Sequence, residues 1–208
     1  MIHPPSEPRL APEPTIPGIP SDLRRRAGEI AQTVILTGLL FAVLSTFIGQ
    51  PFEVTQRSME PTLASGDRVL VDKLSPRWSP YAQGDVVVFD APDPYNAGGI
   101  PYVKRIIGLP GDTIEIENGR IFVTQPGGAP IRLKEPYLQD GETTLPQGIE
   151  GHRTWTVPDD AFFVLGDNRS DSVDSRTFGA VARDRIVGRA WLRYLPMERV
   201  EIVGMNKG

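Results

Sequence analysis

A chain of 208 residues can bury one sizeable core with accessory segments, and the absence of cysteine excludes disulfide scaffolds, thiolate nucleophiles and cysteine-based metal sites. A formal net charge of -4 supplies no overall basic field, and no zinc-finger or recognition-helix pattern is present, so nucleic acid is not an expected partner. Only His3 and His152 are available, far apart, which gives no basis for a histidine-zinc cluster and restricts any Ser-His-Asp triad to His152.

Residues 1–29 form a proline-rich segment, with Pro4, Pro5, Pro8, Pro12, Pro14, Pro17 and Pro20 denying helix hydrogen bonds while little apolar surface is offered for burial. It reads as a disordered tail. Residues 30–49 carry no charge. About 20 residues at roughly 1.5 Å rise would cross a hydrocarbon core of about 30 Å, so this run predicts a transmembrane helix. A cleaved secretory signal fits less well, because the run exceeds the usual apolar core and no small-x-small pattern with alanines follows. A buried soluble helix fits least, because no polar face is present. Arg24, Arg25 and Arg26 precede the run, whereas its far flank has only Arg57 alongside Glu53 and Glu60. That bias places the tail in the cytoplasm and residues 50–208 on the other side.

Beyond the helix the pattern is strand-like, in short runs rich in Val, Ile and aromatics: 68–72, 85–89, 102–108, 113–117, 120–124, 154–157, 162–165 and 186–194. Asn118-Gly119 between two of them fits a type I′ hairpin, whose central residues need positive φ. The expected fold is mainly β, a β-rich catalytic domain over 50–208 with a smaller β subdomain inserted at 116–157. Gln125 to Gly151, heavy in Gly and Pro, reads as loops of that insert rather than core. His152 is assigned to the insert.

Ser58 lies in Arg57-Ser58-Met59-Glu60-Pro61-Thr62-Leu63, nine residues beyond the predicted helix. A serine hydroxyl is a weak nucleophile until a neighbouring base takes its proton. Lysine can be that base if apolar burial lowers its pKa of about 10.4 by several units. Lys104 interrupts the apolar strand Tyr102 to Gly108, and period-two alternation puts it on the face of Tyr102 and Ile106, opposite Val103, Arg105 and Ile107. On spacing alone, Ser58 also reads as a turn residue and Lys104 as a solvent-facing charge. Gly166-Asp167-Asn168 is a turn signal after an apolar run, and its Asp and Asn serve local backbone groups as readily as a site.

Four ordered blocks, Ser58 to Leu63, Gly66-Asp67, Tyr102 to Asp112 (YVKRIIGLPGD) and Gly166 to Arg176 (GDNRSDSVDSR), together resemble the type I (leader) signal peptidases, serine-lysine proteases of family S26. The likeness spans roughly Phe52 to Leu195, and the closing Gly188-Arg189-Ala190-Trp191 is similar to bacterial and cyanobacterial members. The resemblance implies Ser58 as nucleophile, Lys104 as base, and Ser172 as the hydroxyl that orients the lysine amine. Asp174 with Arg176 would form a supporting ion pair, with Asp167 and Asn168 as further structural support. The Ser58 N–H is one oxyanion donor. Many bacterial relatives place a serine two residues before the nucleophile, where this chain has Gln56, so the Gln56 amide or Thr55 is the expected second donor. Phe52, Val54, Met59, Leu63, Val88 and Val103 match positions lining shallow apolar pockets that select small side chains.

The resemblance further implies a membrane-bound endopeptidase that needs no cofactor or metal and removes signal peptides from exported preproteins after Ala-x-Ala-like sites. The substrate would lie as an extended strand beside the Lys104 strand or the Phe52 to Ser58 segment. Its partners would be preproteins, the lipid bilayer and, transiently, the export machinery. Lysine rather than histidine as base points to a single-pass protein of a bacterial plasma membrane or a thylakoid membrane. An autoprotease of SOS-repressor type and a catalytically silent binding domain are the alternatives.

Overall fold

The computed structural model describes residues 21–47, 49–96, 98–147 and 152–204, so most of the proline-rich segment and the end of the insert's long loop lie outside it. The chain divides into two compact units, Met1–Ala42 and Val43–Gly208. The described part of the first belongs to α1 (Ser21–Phe47), 27 residues with no internal proline, whose last five residues fall in the second. Arg25 pairs with Glu29 one turn on, at 3.6 Å, and Ile30, Val34, Ile35, Leu36, Leu39, Leu40 and Phe41 are all exposed. The helix thus covers most of the predicted span but begins nine residues earlier, taking in Asp22, Arg24, Arg25, Arg26 and Glu29. Among the described residues no helix is long and apolar enough to cross a membrane. Gly49, expected at the helix end, instead opens β1 (Gly49–Glu53).

The second unit is built from two antiparallel sheets. β2 (Arg68–Asp72), β3 (Val86–Phe89) and β4 (Tyr102–Gly108) come first, then the hairpin β5 (Thr113–Glu117) and β6 (Arg120–Thr124). β7 (Ile131–Arg132), β8 (Thr154–Thr156), β9 (Ala161–Leu165), α2 (Ser175–Phe178), β10 (Val181–Ala182), β11 (Ile186–Leu195) and β12 (Glu201–Ile202) complete the chain. The larger sheet runs β1-β2-β11-β3-β4-β9-β10, with β12 on β11, and the smaller runs β7-β6-β5-β8. Every expected strand is present to within a residue or two. Asn118 and Gly119 adopt φ of 49° and 75°, as the type I′ turn between β5 and β6 requires. β1 contains Pro51, which an edge strand tolerates because its missing N–H can face away from the sheet.

β4 positions the site. Its alternation sends Ile106 into one apolar cluster with Val87, Phe89 and Val164, and Ile107 into another with Ile114, Ile121 and Phe163. The strand is therefore packed on both faces, and any charge it carries is buried with it. β3 pairs β4 from Tyr102 to Arg105, whereas β9 pairs it only from Arg105 onward. Among the described residues, the β9-side edge of β4 at residues 102–104 has no strand beside it.

The Gly- and Pro-rich stretch after β6 differs from its reading as insert loops away from the core. It adds β7 to the small sheet, and its return segment presents the fully buried Thr144 and the carboxylate of Glu135 to the buried Arg169. His152 stays exposed and packs edge-on against Trp155, with ring centroids 4.9 Å apart.

Candidate active site

Ser58 stands in the turn after β1. The turn is closed at its base by reciprocal backbone bonds, Val54 N–H to the Asp67 carbonyl at 2.8 Å and Gly66 N–H to the Val54 carbonyl at 2.7 Å. Asp67 accepts the Ala64 N–H at 2.9 Å, and the Ser58 carbonyl accepts the Asn168 N–H at 3.0 Å. These bonds fix the serine backbone while its side chain faces β4. The Lys104 side chain is 1% exposed, and its Nζ donates to Ser58 Oγ at 2.5 Å across 46 residues of sequence. Tyr102, two residues earlier on the same face, holds its ring centroid 5.3 Å from Nζ.

Burial lowers the Lys104 pKa to about 8; Asp174 pulls it upward, Arg176 pushes it down, and Asp167 and Asp171 raise it further. About a tenth of such lysines are neutral at pH 7, against roughly one in several thousand at the ordinary value. In the neutral form the contact reverses, and the serine hydroxyl donates to the amine lone pair. The pair can thus generate an alkoxide-like nucleophile, which is the first requirement of acyl transfer.

The Gly166–Arg176 loop packs against both residues. Asp174 and Arg176 form a two-pronged ion pair, at 2.8 and 2.7 Å, with both side chains almost fully buried. Asp174 also accepts the Arg176 N–H as cap of α2 and the Gly166 N–H at 3.1 Å. Ser172 is buried, and its Oγ has no hydrogen-bond partner among the described atoms, so the bond to Lys104 that the resemblance implies is not formed here. Gly166 sits between Ser172 and Ser58: an ideal Cβ there would lie 2.5 Å from the Ser58 carbonyl oxygen and closer still to Ser172 Oγ.

Asp167 does more than complete a turn. Arg105 grips it with two bonds of 2.8 and 2.6 Å, and Thr62 Oγ1 donates to it at 2.5 Å, which ties β4, the Ser58 turn and the Gly166 loop together. The Asn168 side chain reaches the Arg57 carbonyl at 3.5 Å. Arg193 on β11 secures the other side of the turn, donating to the Thr62 carbonyl at 2.7 Å and to Asp67 at 3.1 Å. Sequence reasoning passed over Arg105, Thr62, Arg169 and Arg193. The available signal for Arg105 was its place in a strand whose two faces are both apolar.

Val54, Met59 and Val103 line a narrow depression beside Ser58, together with Gln56, Thr55 and Pro101. Leu63 and Val88 have no exposed surface and Phe52 packs against the same cluster, so these three back the depression rather than line it. The two oxyanion-donor candidates, Gln56 and Thr55, both border the depression that holds Ser58, with Gln56 half-buried and Thr55 exposed. Among the described residues no group of three or more His, Cys, Asp or Glu is arranged to hold a metal ion.

The family model described as signal peptidase, peptidase S26, matches residues 27–195. The chain belongs to the S26 signal peptidase family. A signal peptidase I of Leptolyngbya laminosa is 35% identical over 180 residues, covering 85% of this chain and 83% of the relative. A probable signal peptidase I-2 of Synechocystis is 34% identical, with 84% and 76% covered, and a signal peptidase I of Bacillus caldolyticus is 39% identical, with 76% and 86% covered. This S26 peptidase is accordingly a serine endopeptidase, and all four motif blocks fall within the matched region.

Proposed function

We propose that this S26 peptidase cleaves exported preproteins after small residues by a Ser58–Lys104 dyad. The observation that carries the reading is the buried lysine amine in contact with the hydroxyl of a backbone-fixed serine. Neutral Lys104 takes the Ser58 proton as Oγ bonds to the scissile carbonyl carbon, and the resulting ammonium returns the proton to the departing amine as the C–N bond breaks. Water then gives its proton to Lys104 and its oxygen to the acyl carbon, and the ammonium re-protonates Ser58 as the ester opens. The Ser58 N–H with the Gln56 amide or Thr55 would receive the oxyanion, each donor contributing a few kcal/mol, about 3, to the transition state. Ser172 would orient the amine during these transfers, its unpartnered buried hydroxyl being free to take up that bond.

The unpaired edge of β4 at 102–104 offers main-chain groups to an extended substrate beside Lys104, and Val54, Met59 and Val103 would exclude large side chains. The uncharged run 30–49, whose residues 30–42 are exposed, would anchor the chain in a bilayer with residues 1–29 on the cytoplasmic side, and residues 116–157 would form the inserted subdomain. A cleavage assay on a separate preprotein bearing an Ala-x-Ala site tests the whole reading. Wild type should cut while Ser58→Ala and Lys104→Ala do not; retention of cutting in either variant would sink the dyad, and cutting of the chain itself alone would turn the reading to an autoprotease.

A further inference from the structure

Residues 135–147 carry no motif of a catalytic element, yet three buried arginines of the main unit reach into them. Arg105 on β4 stacks on the Tyr137 ring, its guanidinium carbon 3.9 Å from the centroid. Arg176, while paired with Asp174, donates to the Leu145 carbonyl at 3.1 Å. Arg169 has a side chain with no exposed surface; it pairs with Glu135 at 2.5 Å and donates to the Thr144 hydroxyl. Its remaining Nε donates to the Gly166 carbonyl at 3.0 Å. Tyr137 in turn donates its hydroxyl to Glu135 at 3.2 Å.

This chain of contacts ends at the reacting groups. Gly166 is held from one side by Asp174 and from the other by Arg169, and it lies so close to the Ser58 carbonyl and Ser172 Oγ that even a methyl group could not be added. A buried guanidinium needs a counter-charge, because an ion held out of water without its partner strongly destabilises the segment that holds it. Without Glu135, Arg169 must find water, and the Gly166 carbonyl that it holds must shift with it.

We propose that Glu135 is a positioning residue for the Ser58–Lys104 pair, fixing Gly166 through Arg169 and so keeping the lysine amine sealed and aligned. The inference rests on that pair being the catalytic dyad. The charged groups that bear most on Lys104 are Asp174 and Arg176 from the loop ending in α2, and Asp167 and Asp171 from the turn before it. The Ser58 hydroxyl and the Tyr102 ring lie against Lys104. The effect of Glu135 is on access of water, which must raise the lysine pKa toward its ordinary value if the loop slackens.

The test uses the full chain in detergent with a synthetic peptide containing an Ala-x-Ala site, and compares wild type, Glu135→Ala, Glu135→Gln and Tyr137→Phe. For Glu135→Ala, kcat should fall at least about ten-fold with KM within about two-fold, and the acid limb of kcat/KM should move up by about one pH unit. Glu135→Gln, which keeps the shape and one hydrogen-bond acceptor, should move the same quantities less; if the alanine variant does not fold, it decides the question alone. Tyr137→Phe retains the stack on Arg105 and should leave the limb in place. A lowered melting temperature with kcat and the acid limb unchanged would make Glu135 a packing residue and overturn the inference. Ser58→Ala is run alongside: residual cleavage by it would instead remove the dyad.

Discussion

Burying an ammonium group destabilises the fold wherever the group stays charged, and Lys104 carries that cost. Its folded pKa of about 8 lies below the 10.5 of the unfolded chain, so below about 8 both states are charged and the full penalty stands. Between about 8 and 10.5 the folded protein has released a proton that the unfolded chain retains, and stability rises with pH. Lys104→Met should therefore be inactive yet more stable at pH 7, by about 2 to 3 kcal/mol in denaturant unfolding, with the advantage shrinking as pH rises from about 8 to 10.5. Under the proposed dyad the same titration would govern rate: kcat/KM should climb with a limb near 8, because only the neutral amine accepts the serine proton. Gly166→Ala should cost about 100-fold in kcat at wild-type pH dependence of folding, since the added carbon must displace the Ser58 carbonyl or the Ser172 hydroxyl. An unchanged kcat there would show that the loop can yield without disturbing the dyad.

At the scale of elements, β4 joins three segments through one salt bridge. Arg105 and Asp167 stand 62 positions apart, both side chains are almost fully buried, and the pair shares Thr62 with the nucleophile turn. Removing one partner, as in Asp167→Asn, should lower stability by about 3 to 5 kcal/mol in urea unfolding, while Arg105→Met with Asp167→Leu should recover much of it without restoring activity. The strands were legible because alternation and the Asn118-Gly119 turn are local signals, whereas Lys104, which on spacing alone also read as a solvent-facing charge, was singled out by the ordered motif blocks. Arg105 was not legible: its neighbour pattern says which face it occupies, but its partner is fixed only when β4 and β9 pair. Residues 135–147 were less legible still. They have no periodicity, and their importance lies in the arginines that meet them, which no window of sequence contains. The depression was half-legible, since the positions were found but the depth of Leu63 and Val88 depends on how the nucleophile turn folds over β2 and β3.

For the whole molecule, the division at Ala42 and Val43 separates a helix whose exposed side chains are largely apolar from a unit with its own core. A chain shortened to residues 43–208 should cleave a soluble peptide within about three-fold of the full chain but no longer co-sediment with lipid vesicles. Loss of peptide cleavage on truncation would show that the helix contributes to the site itself. The open edge of β4 at 102–104 bears on what kind of protein such an enzyme could cut. If a substrate docks there by its main chain, it must present several consecutive peptide groups in extended form. A segment already folded into a helix cannot do so, nor can one with proline where an N–H must be given. Selection would then act on timing as well as on sequence: the cut is open to a polypeptide only during the interval in which it has emerged but not yet acquired structure of its own.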